Sequence, residues 1–163
     1  MKSVEYLVHK ASGKPYKMPR TPDKYTGGEQ YGLTNGVTGN IKTWGAWVGL
    51  VNHDLDPVID FGIPTEFSRV STRFVNSRVS WIYPPRAVEV FGSADGKKFV
   101  SLAKQDIAAD KLTGITVEDV NLEFKAAKYR YLKLVATTYG VIPKGAAGEG
   151  EGAWLFLDEV VVE

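Results

Sequence analysis

The sequence predicts an all-β protein folded as an antiparallel β-sandwich. Several short segments are rich in β-branched and aromatic residues and alternate between apolar and polar positions. Gly, Pro, Asn and Asp, which favour turns, separate these segments. No part of the chain sustains the 3.6-residue apolar spacing of an amphipathic helix, and only residues 106–111 favour a turn or two of helix. These observations together indicate packed strands rather than helices.

Six segments carry the strand pattern in chain order. They are residues 58–61, which end before Gly62 and Pro64, and residues 67–75, 87–93, 120–124, 129–137 and 154–162. Within residues 67–75, the side chains of Val70, Thr72 and Phe74 share one face. Residues 154–162 are apolar on both faces, which is typical of a strand buried between two layers.

The chain has the length and composition of one folded domain. It has 163 residues, of which 44% are hydrophobic and 24% charged, and this excludes a disordered chain. We expect a single module over residues 1–163, with residues 1–30 as an extended wrap around the sandwich edge and residues 31–163 as its core. No segment has the composition of a linker to a second domain.

Charge and residue usage exclude several functions. Lys and Arg number 20 against 19 Asp and Glu, which argues against a nucleic-acid protein and against a polybasic membrane binder. The absence of Cys excludes disulfides, thiolate zinc sites and a cysteine nucleophile. The chain has two histidines and no hydrolase, zinc-peptidase or P-loop motif, and we interpret Asp54 and Asp56 as solvated acids. Catalysis by this chain is therefore not supported.

From the two ends of the sequence we expect a module of a longer protein. Residues 1–5 carry no apolar stretch of the kind found in signal peptides. The chain stops at Glu163, directly after three valines.

Oxygen-bearing side chains suggest a metal site. Asn35, Asn40 and Thr43 lie in one turn-rich loop, and Glu159 lies within an otherwise apolar strand. A carboxylate in that position must be paired or stay protonated, and Ca²⁺ accepts such hard oxygen ligands. The alternative is that Glu159 pairs with an Arg or Lys, and that the Asn35–Gly36 pair is only a turn.

Aromatic side chains suggest a sugar site. Trp44, Trp47, Trp81, Tyr83 and Tyr139 lie in or beside loops, together with His53, Arg78 and Lys144. Flat rings stack on the C–H face of a sugar, and planar polar groups bond its hydroxyls. The alternative for each Trp is burial in the core, which we expect for Trp154 and for Trp44.

An ordered set of motifs resembles the discoidin-like (coagulation factor 5/8 type C) domain, a galactose-binding-like β-sandwich jelly roll that includes the family 32 carbohydrate-binding modules. The motifs are residues 33–36 (LTNG), Trp44, residues 58–62 (VIDFG), 88–90 (VEV), 93–99 (SADGKKF), 129–134 (YRYLKL) and 158–160 (DEV). Residues 80–84 (SWIYP) and 153–159 (AWLFLDE) are similar to the C-terminal module of bacterial chitobiases and other β-N-acetylhexosaminidases.

The resemblance implies two sites. A structural calcium would be held by Asn35, Asn40, Thr43 and Glu159, although Asn35 stands where the family usually has Asp. A sugar site would lie on the loops at one end of the sandwich, which we expect to be residues 47–56, 76–85 and 139–152. The candidate sugar-binding residues are Trp47, His53, Arg78, Trp81 and Tyr139.

The expected function is a non-catalytic carbohydrate-binding module that targets a parent chitobiase or β-N-acetylhexosaminidase to glycans. Its partners would be glycans with N-acetylhexosamine or galactose-type sugars and the catalytic domain of the parent enzyme, but not nucleic acid or a membrane. The resemblance implies a monomeric module in a periplasmic, cell-surface or secreted protein. The alternative is a structural or protein-interaction discoidin domain that packs on the catalytic domain without binding sugar. Binding to anionic lipid is disfavoured because Lys14, Lys17, Arg20 and Lys24 are dispersed.

Overall fold

The computed structural model describes residue 3 and residues 5–163, and it confirms the predicted antiparallel β-sandwich. The strands are β1 (Tyr16–Lys17), β2 (Tyr25–Thr26), β3 (Val48–Val51), β4 (Val58–Asn76), β5 (Ala87–Ser93), β6 (Val100–Asp106), β7 (Thr116–Ala136), β8 (Trp154–Leu157) and β9 (Val161–Val162). Single turns of 3-10 helix occur at Glu29–Tyr31, Arg78–Ser80 and Ala109–Lys111. Within the described residues, no helix is long and apolar enough to cross a lipid bilayer.

Two long strands, β4 and β7, take part in both layers of the sandwich. Residues 58–60 of β4 pair with residues 131–133 of β7, and β5 and β6 extend that layer. Residues 69–76 of β4 pair with residues 116–123 of β7, and β8, β3 and β2 extend the other layer. All of these pairings are antiparallel.

The predicted break between residues 58–61 and 67–75 is wrong, because both segments belong to β4. Gly62 adopts a φ of +81° and the register shifts between Asp60 and Thr65, as in a bulge. Pairing with β7 then resumes at Thr65, so the strand bends without ending. The predicted strand at 154–162 is instead interrupted, since residues 158–160 leave the sheet between β8 and β9.

The main core lies between the layers and follows the predicted alternation. Val70, Thr72 and Phe74 of β4 are all buried. Val70 and Phe74 share one apolar cluster with Leu122 from the same layer and Leu132 from the opposite layer. Burying these side chains between two sheets is the main term that stabilises such a sandwich.

A second apolar cluster covers the outer face of the layer that contains β8. Its buried members are Trp47, Val75, Ile82 and Phe156, and Tyr25, Trp44 and Trp154 pack against them. Trp44 meets Phe156 edge-on at 5.5 Å between ring centroids, and Trp154 meets Tyr25 at 5.2 Å. Trp44 therefore packs as predicted, whereas Trp154 is half-buried in this outer cluster rather than in the main core.

The N-terminal wrap runs along both layers. β1 pairs with the start of β4, and β2 pairs with β3. The amide of Lys10 donates a hydrogen bond of 2.9 Å to the carbonyl of Val162, which joins the wrap to β9. Met1, Lys2 and Val4 belong to the predicted wrap but lie outside the described residues.

The loops that leave the strands at one end of the sandwich form a continuous surface, which we call the loop end. It consists of residues 52–57, 77–86, 107–115 and 137–153. These loops share one end because Asn76 of β4 pairs with Thr116 of β7, and Ala136 of β7 pairs with Val88 of β5. The loop end therefore contains most of the sequence predicted to bind sugar.

Candidate functional site

Backbone hydrogen bonds hold the loop end together. The amide of Asn52 donates to the carbonyl of Ala153 at 2.8 Å, and the amide of Trp154 donates to the carbonyl of Trp81 at 2.8 Å. The side chain of Asp54 accepts the amide of Thr138 at 2.8 Å. Three separate loops are therefore fixed to one another, which gives a site with preset geometry.

Trp81 is the exposed aromatic side chain of the loop end. Its residue is 39% exposed, and its φ of +63° lies in the left-handed region. Gly148 lies against one side of its indole, since a Cβ on Gly148 would come within 2.5 Å of the ring atom Cε2. The backbone of a neighbouring loop thus supports the indole from behind, and part of the residue stays exposed to solvent.

Arg78 lies one turn before Trp81 and joins a polar network. Its Nη2 donates to the carbonyl of Ala109 at 2.7 Å, and its guanidinium lies 5.0 Å from the centroid of the Tyr83 ring. The same Nη2 is 3.9 Å from Asp110. The Arg78 side chain is one-third exposed and its Nε is buried, so the protein positions the guanidinium and leaves part of the side chain accessible to a ligand.

His53 is half-buried and has a defined tautomer. Its Nδ1 lies 2.8 Å from the carbonyl oxygen of Asp54. Because a carbonyl only accepts hydrogen bonds, Nδ1 carries the proton. Nε2 then remains as the acceptor that a sugar hydroxyl requires.

Two predicted sugar-binding residues are corrected by the structure. Trp47 is the last residue of the loop of residues 37–47, and its side chain is fully buried. Its Nε1 donates to the carbonyl of Asn40 in the same loop at 3.0 Å. Tyr139 is 9% exposed, with its hydroxyl bonded to Asp110 at 2.9 Å and Arg86 stacked 4.2 Å from its ring centroid. Burial and the bond to Asp110 raise the pKa of Tyr139. Neither ring offers a face to a sugar, so both are structural.

Asn35 and Asn40, two of the four predicted calcium ligands, already use their side-chain oxygens as acceptors of backbone amides, whereas Oε2 of Glu159 is buried without a partner. Asn35 uses its Oδ1 to accept the amide of Val37 at 2.9 Å, and Asn40 uses its Oδ1 to accept the amides of Lys42 and Thr43. Asn40 and Thr43 are exposed, whereas Glu159 is 1% exposed. Among the described residues, no three His, Cys, Asp or Glu side chains are grouped to hold a metal.

Glu159 is instead paired with His9. Their Nε2 and Oε1 atoms are 2.8 Å apart, and both side chains are 1% exposed. Nδ1 of His9 accepts the amides of Ala11 and Val162 at 3.2 and 3.3 Å, so Nε2 carries the proton that it donates to Glu159. Burial raises the pKa of the Glu159 carboxyl, against the opposing effect of its bonds to His9 and the Gly36 amide. The sequence-based alternative expected an Arg or Lys in this position.

Sequence reasoning missed three contributors to the loop end: Asp110, Arg86 and Gly148. Asp110 lies in the segment that predicted a helical turn, and it links Arg78 to Tyr139. Gly148 lies in the glycine-rich stretch of residues 145–152, whose composition indicated a flexible loop and not a support for Trp81. No local pattern marks a contact between segments about seventy residues apart.

The two antiparallel layers form a galactose-binding-like β-sandwich of the discoidin type. The model of the F5/8 type C domain family matches residues 20–149, and the chain belongs to that family. The predicted resemblance to discoidin-like domains is therefore confirmed. A comparison with curated proteins gives no match.

Solved structures with this fold include several sugar-binding domains. Chitosan-binding module 1 from a chitosanase/glucanase of Paenibacillus sp. IK-5 is 13% identical, with a TM-score of 0.62 over 96% of this chain and 99% of that one. A fucose binding module of Streptococcus pneumoniae is 19% identical, with a TM-score of 0.61 over 95% and 94%. The lectin domain of lectinolysin, in complex with Lewis B antigen, is 18% identical, with a TM-score of 0.61 over 98% of both chains.

Proposed function

We propose that this domain is a non-catalytic carbohydrate-binding module whose sugar site is the loop end. The observation that carries the proposal is Trp81, an exposed indole that is supported from behind by Gly148 and held by a left-handed backbone. The names of the similar structures support it, since they describe binding to chitosan, fucose and Lewis B antigen.

The chemistry of the loop end suits a single sugar unit. The apolar C–H face of a pyranose stacks on the indole of Trp81, and the Arg78 guanidinium donates hydrogen bonds to ring hydroxyls. Nε2 of His53 accepts a further hydroxyl where the sugar extends along the loop end. Such a shallow site binds with a Kd of about 0.1–1 mM, and tethering to an enzyme compensates for the weak affinity.

The kind of sugar and the kind of parent protein are the second part of the proposed function. We propose N-acetylhexosamine or galactose-type sugars as ligands, and a periplasmic, cell-surface or secreted chitobiase or β-N-acetylhexosaminidase as the parent. The support is the similarity of residues 80–84 and 153–159 to the C-terminal modules of those enzymes. The module would act as a monomer that keeps the catalytic domain near its glycan.

Titration with sugars tests the proposal. N-acetylglucosamine, N-acetylgalactosamine, galactose and chitobiose are added to the protein while Trp fluorescence is recorded. We expect at least one to give a saturable change, and Trp81→Ala to remove it. Val79→Ala is the matched control, because Val79 lies in the same turn and is 75% exposed. No response to any sugar at 50 mM, about fifty times the weakest expected Kd, would contradict sugar binding and favour the protein-interaction alternative.

A further inference from the structure

Asp110 places an exposed carboxylate beside the arginine of the proposed sugar site. Its Oδ1 accepts a hydrogen bond from the Tyr139 hydroxyl at 2.9 Å and lies 3.9 Å from Nη2 of Arg78. The Asp110 side chain is 77% exposed. Its second oxygen, Oδ2, forms no hydrogen bond with a described residue, so it can accept one from a ligand.

Arg78 offers hydrogen-bond donors next to this carboxylate. Its Nη2 already donates to the carbonyl of Ala109 at 2.7 Å, and its Nε is buried. Its Nη1 forms no hydrogen bond with a described residue, so this nitrogen can donate to a ligand. Arg78 and Asp110 therefore present a donor and an acceptor side by side, with charges that cancel.

The loop end as a whole has no excess of positive charge. Its four segments contain five Asp or Glu residues and four Arg or Lys residues. Arg86 lies on the ring of Tyr139, and its Nε donates to the Tyr139 carbonyl. Lys111 lines a cleft together with Glu118 and Asp119 of β7. An acidic ligand therefore finds no net electrostatic attraction at the loop end.

A donor and an acceptor side by side suit two neighbouring hydroxyl groups of a sugar. One hydroxyl oxygen accepts a hydrogen bond from Nη1 of Arg78, and the next hydroxyl donates to Oδ2 of Asp110. Both hydrogen bonds are strengthened by the charge of the protein group. A carboxylate on the same sugar unit lies within the Debye length of Asp110, which is about 10 Å at 0.1 M salt, and is repelled.

We propose that Asp110 is a specificity-determining residue that restricts the sugar site to neutral sugars and excludes uronic acids. Asp110 accepts a hydroxyl of the neutral sugar, and its charge cancels the attraction of Arg78 for an acidic group. This inference rests on the proposed function, because it requires a sugar at the loop end. It adds the side chain that decides between neutral and acidic sugars.

Titrations of the wild type and Asp110→Asn with matched pairs of sugars test the inference. Galactose, N-acetylgalactosamine and N-acetylglucosamine are each compared with the corresponding uronic acid at equal ionic strength, and NMR measures each Kd. We expect the wild type to bind a neutral sugar at least about fivefold more tightly than its uronic acid. In Asp110→Asn this ratio should fall by about tenfold or more, because Arg78 is then uncompensated.

A salt series separates the charge of Asp110 from its structural role. The substitution keeps an acceptor for the Tyr139 hydroxyl, so the network around Arg78 is retained. In Asp110→Asn we expect the affinity for the uronic acid to fall between 20 and 300 mM NaCl, because salt screens its attraction to Arg78. The affinity of the wild type for the neutral sugar should change little over the same range.

Asp106→Asn is the matched control, because it removes the same charge four residues earlier. The Asp106 side chain is 85% exposed, and its carboxylate lies 3.7 Å from Nζ of Lys104. An unchanged ratio in Asp110→Asn, or an equal change in Asp106→Asn, would overturn the inference while sugar binding stands. Wild type that binds a uronic acid as tightly as the neutral sugar would overturn it as well. No binding of any of the six sugars at 50 mM, about fifty times the weakest expected Kd, would contradict the single-sugar site that both proposals require.

Discussion

Trp81 combines a backbone in the left-handed region with a partly exposed indole, and packing of the core requires neither feature. A bulky side chain at positive φ costs about 1–2 kcal/mol, and the packing of part of the indole against Gly148 offsets this cost. Such strain is found where a binding site needs a side chain in one orientation. Gly148 is the residue that makes this orientation fit, because its missing side chain leaves room for the ring.

We predict that Gly148→Ala disturbs the sugar site, whereas Gly150→Ala does not. Both glycines have a positive φ, +81° and +83°, so each substitution should lower the free energy of unfolding by about 1 kcal/mol. Only the Cβ at position 148 meets the indole, at 2.5 Å, while the Cβ at 150 meets nothing within 4 Å. Trp fluorescence and sugar affinity should therefore change in Gly148→Ala alone. Equal sugar affinity in the two variants would contradict the supporting role of Gly148.

The sequence could identify the sugar-site aromatic residues as candidates but could not separate exposed rings from buried ones. Trp47 and Trp81 both lie beside predicted loops, yet one is fully buried and the other is 39% exposed. The difference arises from residues 37–47, which fold over the outer face of the sheet and bury Trp47. Local composition carries no information on that long-range packing.

A buried hydrogen bond between the side chains of His9 and Glu159 helps to hold the wrap against the segment between β8 and β9. We predict that His9→Ala lowers the free energy of unfolding by about 2 kcal/mol, because it removes a bonding partner of the buried Glu159 carboxylate. For a domain of this size the Tm should fall by about 4–8 °C. Thermal unfolding followed by circular dichroism measures the change.

His53→Ala is the control for the His9 variant. His53 is half-buried at the loop end and bonds only the neighbouring carbonyl, so its removal should change the Tm far less. An equal Tm in His9→Ala and the wild type would show that the His9–Glu159 contact does not hold the wrap.

Tyr16 of β1 makes stability depend on pH in the alkaline range. Burial raises the pKa of Tyr16 from 10.0 to about 12. The unfolded chain therefore loses the proton first, and stability falls as pH rises from 10 to 12. We predict that wild type loses about 1 kcal/mol relative to Tyr16→Phe between pH 10 and 11. Urea unfolding at pH 9, 10 and 11 measures the difference, and parallel curves for the two proteins would contradict it.

The alternation of apolar and polar residues predicts which segments form strands, but it does not predict where each strand ends. Gly62 and Pro64 indicate a break, yet pairing with the 21-residue β7 carries β4 through it. Conversely, the apolar pattern of residues 154–162 is continuous, but Asp158 and Glu159 bond to Arg73 and His9 and divide it. Both differences come from partners distant in sequence.

For the whole molecule, the sequence predicts the architecture because alternation alone decides which face of each strand is buried. The sites are less predictable, since they are formed by loops whose contacts are set after folding. Glu159 illustrates this limit. The sequence shows that a buried carboxylate needs a partner, and the structure shows that the partner comes from His9, 150 residues earlier.

The pairing of Glu159 with His9 leads to a prediction about calcium. We expect the Tm to be the same, within about 1 °C, in 5 mM CaCl2 and in excess EDTA, because the oxygens of Asn35 and Asn40 already accept amide hydrogens. A structural ion present at a hundred times its Kd would add about 2.7 kcal/mol, which is a Tm shift of about 5–11 °C and easily measured. Glu159→Gln serves as the control, because it keeps the shape of the side chain and removes its charge. A calcium-dependent rise in the Tm of the wild type that is lost in Glu159→Gln would show that an ion displaces His9.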